Sequence, residues 1–137
     1  MNKQTLQNTR GSGGSGNSGG THSFLFDMLP SSLSSVPFHE DVEQITRYFA
    51  KGFPLHLAVH AISPVRNVPA EYTQPHVHVD SDEVNIIIST GQLLYKIQLG
   101  EEHYIVGNNT SIWIPRGMVH SANVLEGSGY FITVRIN

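Results

Sequence analysis

Two histidines one residue apart, His76 and His78, lie in the stretch QPHVHVDSDEVN, residues 74–85. In an extended strand, residues two apart point to the same side, so the two imidazoles can share one metal ion. Glu83 begins the next predicted strand and can add a carboxylate. Farther along, PRGMVH puts His120 just after a Pro-x-Gly turn, where a hairpin can fold it back. The spacing therefore predicts a metal site.

The ligand types limit which metal this site can hold. The chain has no cysteine, so thiolate sites are excluded and any metal is held by His, Asp or Glu. Three imidazoles and one carboxylate leave one or two coordination positions open for water, substrate or dioxygen. That set suits one divalent transition metal, namely Fe(II), Mn(II), Ni(II), Cu(II) or Zn(II), and does not choose among them. Asp80 and Asp82 could replace Glu83, but acids at a loop tip are more typical of solvated turns.

The same alternation selects three further candidates beside the metal. If the two paired histidines face inward, period-2 counting sends Tyr72 and Gln74 inward as well, and from Glu83 it puts Asn85 inside. We predict that Tyr72, Gln74 and Asn85 are catalytic residues that hydrogen-bond a substrate or a coordinated water. For Asn85, a buried amide that serves a backbone group is an equally good interpretation.

Other polar side chains within the predicted strands are weaker candidates. Lys96 and Arg135 could pair with a carboxylate substrate if they point inward, although most strand cations are solvated. His56 and His60 share one face of LHLAVHAIS and could move protons, but we expect them on the outer face of a barrel. Trp113 is expected to pack against a helix or a partner subunit.

Short β-strands must position these side chains. Segments rich in Val, Ile, Leu and aromatic residues alternate with turn signals such as TG, GEE, GNN and EGSG. The predicted strands are 55–63, 83–89, 92–99, 101–107, 110–115 and 130–136. Strands at this spacing with no helix between them are typical of an antiparallel sandwich or barrel.

One helix is predicted before the strands, in VPFHEDVEQITRYFAKG. Val42, Ile45 and Phe49 recur at helical spacing, Pro37 suits a first turn, and Gly52 suits a C-cap. We therefore expect an N-terminal helix whose apolar stripe packs on the barrel.

The chain divides into three parts. Residues 1–20 end in GSGGSGNSGG, the composition of a flexible linker, which is either engineered or a natural arm. Residues 21–54 form an N-terminal segment with the helix, and residues 55–137 form the barrel. The stretch SFLFDMLP is too apolar to be left in water, so we expect it to pack on the barrel or on a second subunit, which gives a homodimer.

Charge and composition exclude several classes of function. A net charge of -3 and a pI near 6.2 argue against nucleic acid as a partner. No apolar run is long enough to span a membrane, and the polar N-terminus lacks the apolar core of a signal peptide, which predicts a cytoplasmic protein. Nucleophile-elbow, phosphate-loop and dinucleotide motifs are not found in the sequence. The expected partner is a small-molecule substrate.

The two metal-site segments together resemble the conserved motifs of the cupin superfamily. HVHVDSDEVNIIISTG resembles the first motif, and GNNTSIWIPRGMVHSAN resembles the second, which has Pro-x-Gly-x-x-His. The resemblance covers roughly residues 55–136. It implies an all-β antiparallel double-stranded β-helix, or jelly-roll barrel, and makes His76, His78, Glu83 and His120 the metal ligands. The turns within both motifs are longer than usual in the family, which affects hairpin register more than ligands.

The resemblance leaves the reaction open, because one fold hosts many functions. A metal-dependent oxygenase with Fe(II) is the favoured hypothesis, since no second acid or base is assigned to the pocket. The alternatives are a non-redox lyase, isomerase or decarboxylase that uses the metal as a Lewis acid, and a non-catalytic module that binds a small ligand.

Overall fold

Eight antiparallel strands make up most of residues 24–137, the part of the chain that the computed structural model describes. The strands are β1 (Met28–Ser31), β2 (Ile45–Ala50), β3 (His56–Val65), β4 (Asp82–Ile88), β5 (Leu93–Leu99), β6 (Glu102–Val106), β7 (Thr110–Ile114) and β8 (His120–Ile136). One 3-10 turn, Leu33–Ser35, follows β1. Within this part of the chain no helix is long and apolar enough to cross a membrane. The predicted arm, 1–20, lies outside the described residues.

The long strand β8 joins the two halves of the barrel. Its second half lies between β3 and β4 in the order β1-β2-β3-β8-β4-β7, and its first half pairs with β5, which pairs with β6. Where β8 passes from one half to the other, Gly127 and Gly129 have positive φ values of 96° and 149°. A Cβ atom at Gly127 would overlap the carbonyl of Gln92, and one at Gly129 would overlap that of Ile88. Only glycine fits these two positions.

One end of the barrel is filled by apolar side chains. Ile87 and Leu93 are fully buried, and the ring of Tyr95 stacks on Phe131 with 4.5 Å between ring centroids. Burying one such side chain contributes about 1.5–3 kcal/mol relative to leaving it exposed. The other end of the barrel is polar and contains the cavity described below.

The all-β antiparallel fold and the six predicted strands are confirmed, and five of the six differ only slightly at their ends. The last strand is much longer than predicted, because β8 begins at His120 rather than at residue 130. The last three residues of the apolar stretch SFLFDMLP begin β1, which pairs with the edge of β2. Phe26 of this stretch packs against Phe53, while Phe24 remains 84% exposed.

The prediction of an N-terminal helix is wrong. The only helical residues in that region form the short 3-10 turn, and Ile45–Ala50 is strand β2. Ile45 and Phe49 fit a helical stripe, but with Arg47 they also fit strand alternation, and β-branched and aromatic residues favour strands. The open edge of β3 decides the outcome, because β2 pairs with it from Ile45↔Ile62 to Phe49↔Ala58.

Candidate metal centre

A pair of backbone hydrogen bonds brings His76 opposite His120. The amide of His76 donates to the His120 carbonyl at 3.0 Å, and the amide of His120 donates back at 2.9 Å. Directly paired residues point to the same side, so both imidazoles face His78, which lies two residues farther on. One nitrogen from each of these three imidazoles lies within 4.8 Å of the other two. The structure thus brings three of the four predicted ligands together.

Backbone carbonyls orient two of these rings. The Nδ1 atom of His76 donates to the carbonyl of Gln74 at 2.7 Å, and that of His120 donates to Met118 at 2.9 Å. This leaves the Nε2 lone pair of each ring directed into the site, the arrangement that metal-ligating histidines adopt. The Nε2 atom of His120 is buried and has no hydrogen-bond partner among the described residues. A buried, unpaired nitrogen in this position fits a metal ligand.

The carboxylate of Glu83 lies beside the three imidazoles. Its Oε1 atom is 3.2 Å from Nε2 of His78 and 3.5 Å from Nε2 of His120, and its Oε2 atom accepts a hydrogen bond from Asn85 at 2.8 Å. Burial raises the pKa of Glu83, but His120 and Asn85 outweigh it and lower the pKa to about 2. For His120, the attraction of Glu83 outweighs burial and raises the pKa. The carboxylate is ionised at neutral pH and can serve as a fourth ligand.

The other two imidazoles are neutral at neutral pH. Burial is the main reason that the pKa of His76 falls to about 4, and His120 also lowers it. Burial and then Arg135 lower the pKa of His78. Neutral imidazole is the form that binds metals, and at His120 a metal ion would replace the proton that Glu83 attracts. The donor set of His76, His78, His120 and Glu83 therefore fits a divalent metal ion.

His78 differs from the other two histidines in its contacts. Arg135 places its Nη1 atom 3.0 Å from Nδ1 of His78. A guanidinium group only donates hydrogen bonds, so Nδ1 of His78 is the acceptor and the neutral ring carries its proton on Nε2, towards Glu83. Coordination through Nε2 of His78 therefore requires Arg135 to move away from this ring.

A cavity of about 300 Å³ opens beside these residues. This volume suits a small organic molecule. Its walls are mixed, with apolar side chains from the barrel interior and a group of polar ones. Six histidines line it, namely His39, His56, His60, His76, His78 and His120. Two arginines, Arg47 and Arg135, and the carboxylate of Glu83 also line it.

Strand register explains why so many polar side chains meet here. Because β8 lies between β3 and β4, Arg135 pairs with His56 on one side and with Glu83 on the other. Across β2 and β3, Arg47 pairs with His60. Residues paired in this way share one face of a sheet, so each row adds neighbouring side chains to the cavity.

Two of the three predicted catalytic residues line the cavity. Tyr72 is buried, its hydroxyl accepts a hydrogen bond from the amide of Val124 at 2.9 Å, and burial raises its pKa to about 12. Asn85 is buried and donates to Glu83, so it serves a side chain rather than the backbone. The expected inward position of Gln74 is wrong, because its side chain is exposed and only its carbonyl contacts the site, through His76.

Several polar residues lie where the sequence did not predict them. His56 and His60 line the cavity instead of the outer face of the barrel. Lys96 is outside the cavity and pairs with Glu71 at 2.8 Å. Trp113 is 57% exposed, with no helix beside it in the described part of the chain.

Three residues that help to build the site were not identified as candidates. The ring of Phe38 stacks on His76 with 5.4 Å between centroids, and Arg47 lines the cavity; both lie in the segment predicted to be a helix. The side chain of Asn123 accepts hydrogen bonds from the amides of Tyr72 and Thr73 and so fixes the chain that leads to the histidines. A correct assignment of β2 would have put Arg47 beside His60.

Comparisons with known proteins agree with the fold. No protein-family model and no curated protein sequence matches the chain. Among solved structures, an RmlC-like cupin from Shewanella frigidimarina matches with a TM-score of 0.51 and 15% identity, over 79% of this chain and 93% of that one. The polyketide cyclase RemF from Streptomyces resistomycificus matches with a TM-score of 0.55 and 19% identity, over 80% and 73% of the two chains. The Fe(II) form of HppE matches with a TM-score of 0.58 and 12% identity, over 84% and 62%. The chain therefore has the fold of the cupins that it matches.

Proposed function

We propose that this chain is a mononuclear metal-dependent enzyme that acts on a small organic substrate. The observation that carries the proposal is the three-nitrogen group of His76, His78 and His120, in which Nε2 of His120 is buried and has no partner among the described residues beyond its 3.5 Å contact with Glu83. Such a nitrogen costs free energy unless something coordinates it. Glu83, ionised beside it, would complete a four-ligand set.

For the reaction, our first proposal is an oxygenase that uses Fe(II). Three imidazoles and one carboxylate would leave room at the metal for substrate and dioxygen, and the Fe(II) protein HppE shares the fold. When bound, Fe(II) supplies redox chemistry with dioxygen, whereas Zn(II) or Ni(II) supplies Lewis acidity. The cavity is poor in strong bases: burial is the main reason that the pKa values of His56 and His60 are each lowered to about 4. Chemistry that relies little on proton abstraction suits such a cavity.

Other cavity residues receive supporting roles in this proposal. Tyr72 stays protonated at neutral pH, so its hydroxyl can donate a hydrogen bond to a substrate but cannot act as a base. Asn85 is a positioning residue, since it holds one oxygen of Glu83 and leaves the other directed at the imidazoles. Phe38 stacks on His76 and would shield this side of the site from water.

A second candidate, a non-redox lyase or isomerase, is favoured by the contact of His60. Its Nδ1 atom donates to the carbonyl of Phe131 at 2.9 Å, which leaves an unprotonated Nε2 in the cavity as a base. RemF, which shares the fold, is a cyclase. A third candidate is a binding module, in which the same cavity holds a small ligand without turnover.

Oxygen uptake separates these candidates. Metal-free protein would be loaded anaerobically with Fe(II) or with Zn(II) and assayed against a panel of small organic acids. The oxygenase predicts uptake with Fe(II) alone, lost in Glu83→Ala and kept in the exposed control Glu101→Ala. Turnover with Zn(II) that His60→Gln abolishes would establish the second candidate. Metal binding without turnover of any kind would leave the binding module.

A further inference from the structure

Arg47 is a buried cation in the cavity wall without an acidic partner. Its side chain is only 7% exposed, and its one hydrogen bond to another side chain is to the hydroxyl of Ser31, at 2.9 Å from Nη1. Its guanidinium also lies over the ring of Phe49. No ion pair within residues 24–137 includes Arg47.

Arg135 is a second cation in the cavity wall, and its side chain is half-buried. Its Nη1 atom contacts Nδ1 of His78 at 3.0 Å, and its Nη2 atom contacts Nδ1 of His56 at 3.2 Å. Both acceptors are imidazole nitrogens rather than carboxylate oxygens. In the described part of the chain, Arg135 too belongs to no ion pair.

The charges in the cavity do not balance. Two guanidinium groups face one carboxylate, Glu83, whose oxygens are already engaged by Asn85, His78 and His120. A divalent metal would add further positive charge. A buried charge that has no partner is strongly destabilising, so buried cations normally have an anion beside them. Burial and then Arg135 lower the pKa of Arg47, which agrees with two cations that repel each other.

We propose that the substrate is a small carboxylic acid whose carboxylate binds Arg47 and Arg135. The planar guanidinium group matches a carboxylate with two parallel hydrogen bonds. The cavity of about 300 Å³ would hold the rest of a small acid against the apolar side chains of Ile45, Tyr95 and Phe131. This inference rests on the proposed function only where it calls the anion a substrate. The anion site itself depends only on the two arginines.

The contact between Arg135 and His78 supports a ligand in this place. A carboxylate that takes the N–H donors of Arg135 removes them from Nδ1 of His78. The ring can then carry its proton on Nδ1 and offer Nε2 to a metal, as the other two histidines already do. The bound anion would therefore balance the positive charges in the cavity, and it would also free Nε2 of His78 to bind a metal.

Calorimetric titration of metal-free, chelator-treated protein tests the inference. The probes are acetate and benzoate, each compared with its neutral amide, acetamide or benzamide. We expect saturable binding of at least one carboxylate, with its amide about tenfold or more weaker, because hydrogen bonds to charged groups contribute that much. Arg47→Met and Arg135→Met should each weaken carboxylate binding by about tenfold or more, whereas the exposed Arg66→Met should leave it unchanged. Circular dichroism checks folding, and Arg47→Lys and Arg135→Lys, which keep the charge but not the planar fork, replace a variant that does not fold.

Two results would overturn the anion site. One is that neither carboxylate binds more tightly than its amide. The other is that both cavity arginine variants bind like Arg66→Met. Metal content, measured on the same samples after reconstitution, separates this failure from that of the proposed enzyme. Protein that binds carboxylate through the arginines but takes up no metal would refute the enzyme alone, and the reverse result would refute the anion site alone.

Discussion

At the cavity end of the barrel, the two faces of the sheet formed by β2, β3, β8 and β4 differ in a way opposite to most antiparallel sheets. The inward face carries Arg47, His56, His60, Glu83, Asn85 and Arg135, and the outward face carries Leu57, Val59, Val84, Ile86, Ile132 and Val134. Such sheets usually point apolar residues inward and polar residues towards water. Rules of this kind are broken chiefly at functional sites. The polar inward face at the cavity end is therefore a feature that stability alone does not explain.

The outward face also differs from an ordinary protein surface. Trp113 is 57% exposed, Tyr130 is 51% exposed and Ile88 is 41% exposed, and all three adjoin the apolar residues of that face. A contiguous apolar patch on a small protein usually marks an interaction site. We propose that a second copy of the chain covers this face and forms a homodimer, the most common symmetric assembly.

Adjacent residues of β4 give the largest expected contrast between the faces. Ile87 is fully buried, whereas its neighbour Ile88 is 41% exposed. Ile87→Ala should lower the free energy of unfolding by about 2–5 kcal/mol, because it removes buried atoms and leaves a hole. Ile88→Ala should cost less than about 1 kcal/mol. Urea denaturation of dilute protein measures both, and equal losses would show that the two faces are not distinct.

The inward histidines predict a loss of stability in acid. Burial lowers the pKa of His60 from 6.5 to about 4 in the folded chain. Between these two values the unfolded chain binds more protons, so the free energy of unfolding falls as the pH decreases through this range. From pH 7 to pH 5, His60 should account for up to about 2 kcal/mol of that loss. The variant His60→Gln should lose correspondingly less in urea denaturation at the two pH values; an identical loss would contradict the buried position.

A single charge on the outward face should weaken the proposed homodimer. Tyr130→Lys puts a cation on that face, which should weaken dimerisation by about tenfold or more, since an unpaired charge would then be buried. Light scattering and sedimentation at micromolar concentration measure the effect, and metal content should not change. A monomeric wild-type protein at that concentration would refute the dimer.

Substitution of Lys96 should have the smallest effect, and this residue serves as a reference for the inward arginines. Its ion pair with Glu71 is exposed on both sides, at 39% and 56%. Lys96→Ala should change the free energy of unfolding by less than about 0.5 kcal/mol and should leave carboxylate binding unaltered. A loss of carboxylate binding comparable to that of Arg135→Met would place the anion elsewhere on the molecule.

Alternation within single strands could be predicted from the sequence. Counting from Glu83 correctly puts Asn85 and Ile87 inside, because β4 is a regular strand and its pleat fixes side-chain direction. The same count fails for Gln74. The chain around it forms only isolated bridges, His39↔Thr73 and His76↔His120, so strand alternation does not extend through it.

Pairing between distant segments could not be predicted in the same way. Arg47 enters the cavity only because β2 pairs with β3, and the local pattern of residues 36–52 fits a helix as well as a strand. His56 and His60 face inward only because β3 borders β8, where Arg135 and Phe131 are their partners. Sequence patterns give the direction of a side chain within its strand, whereas strand order decides which face is enclosed.

The metal content of the purified protein is the most direct test of the proposed metal site. Elemental analysis would use protein purified without a His tag or chelator, before and after reconstitution with Fe(II) or Zn(II). It would compare the wild type with His120→Ala and with His103→Ala, a matched control whose side chain is exposed on β6. We expect about one metal ion per chain in the wild type and in the control, and little in His120→Ala. No metal in the reconstituted wild type, or equal metal in His120→Ala, would contradict the proposed metal site.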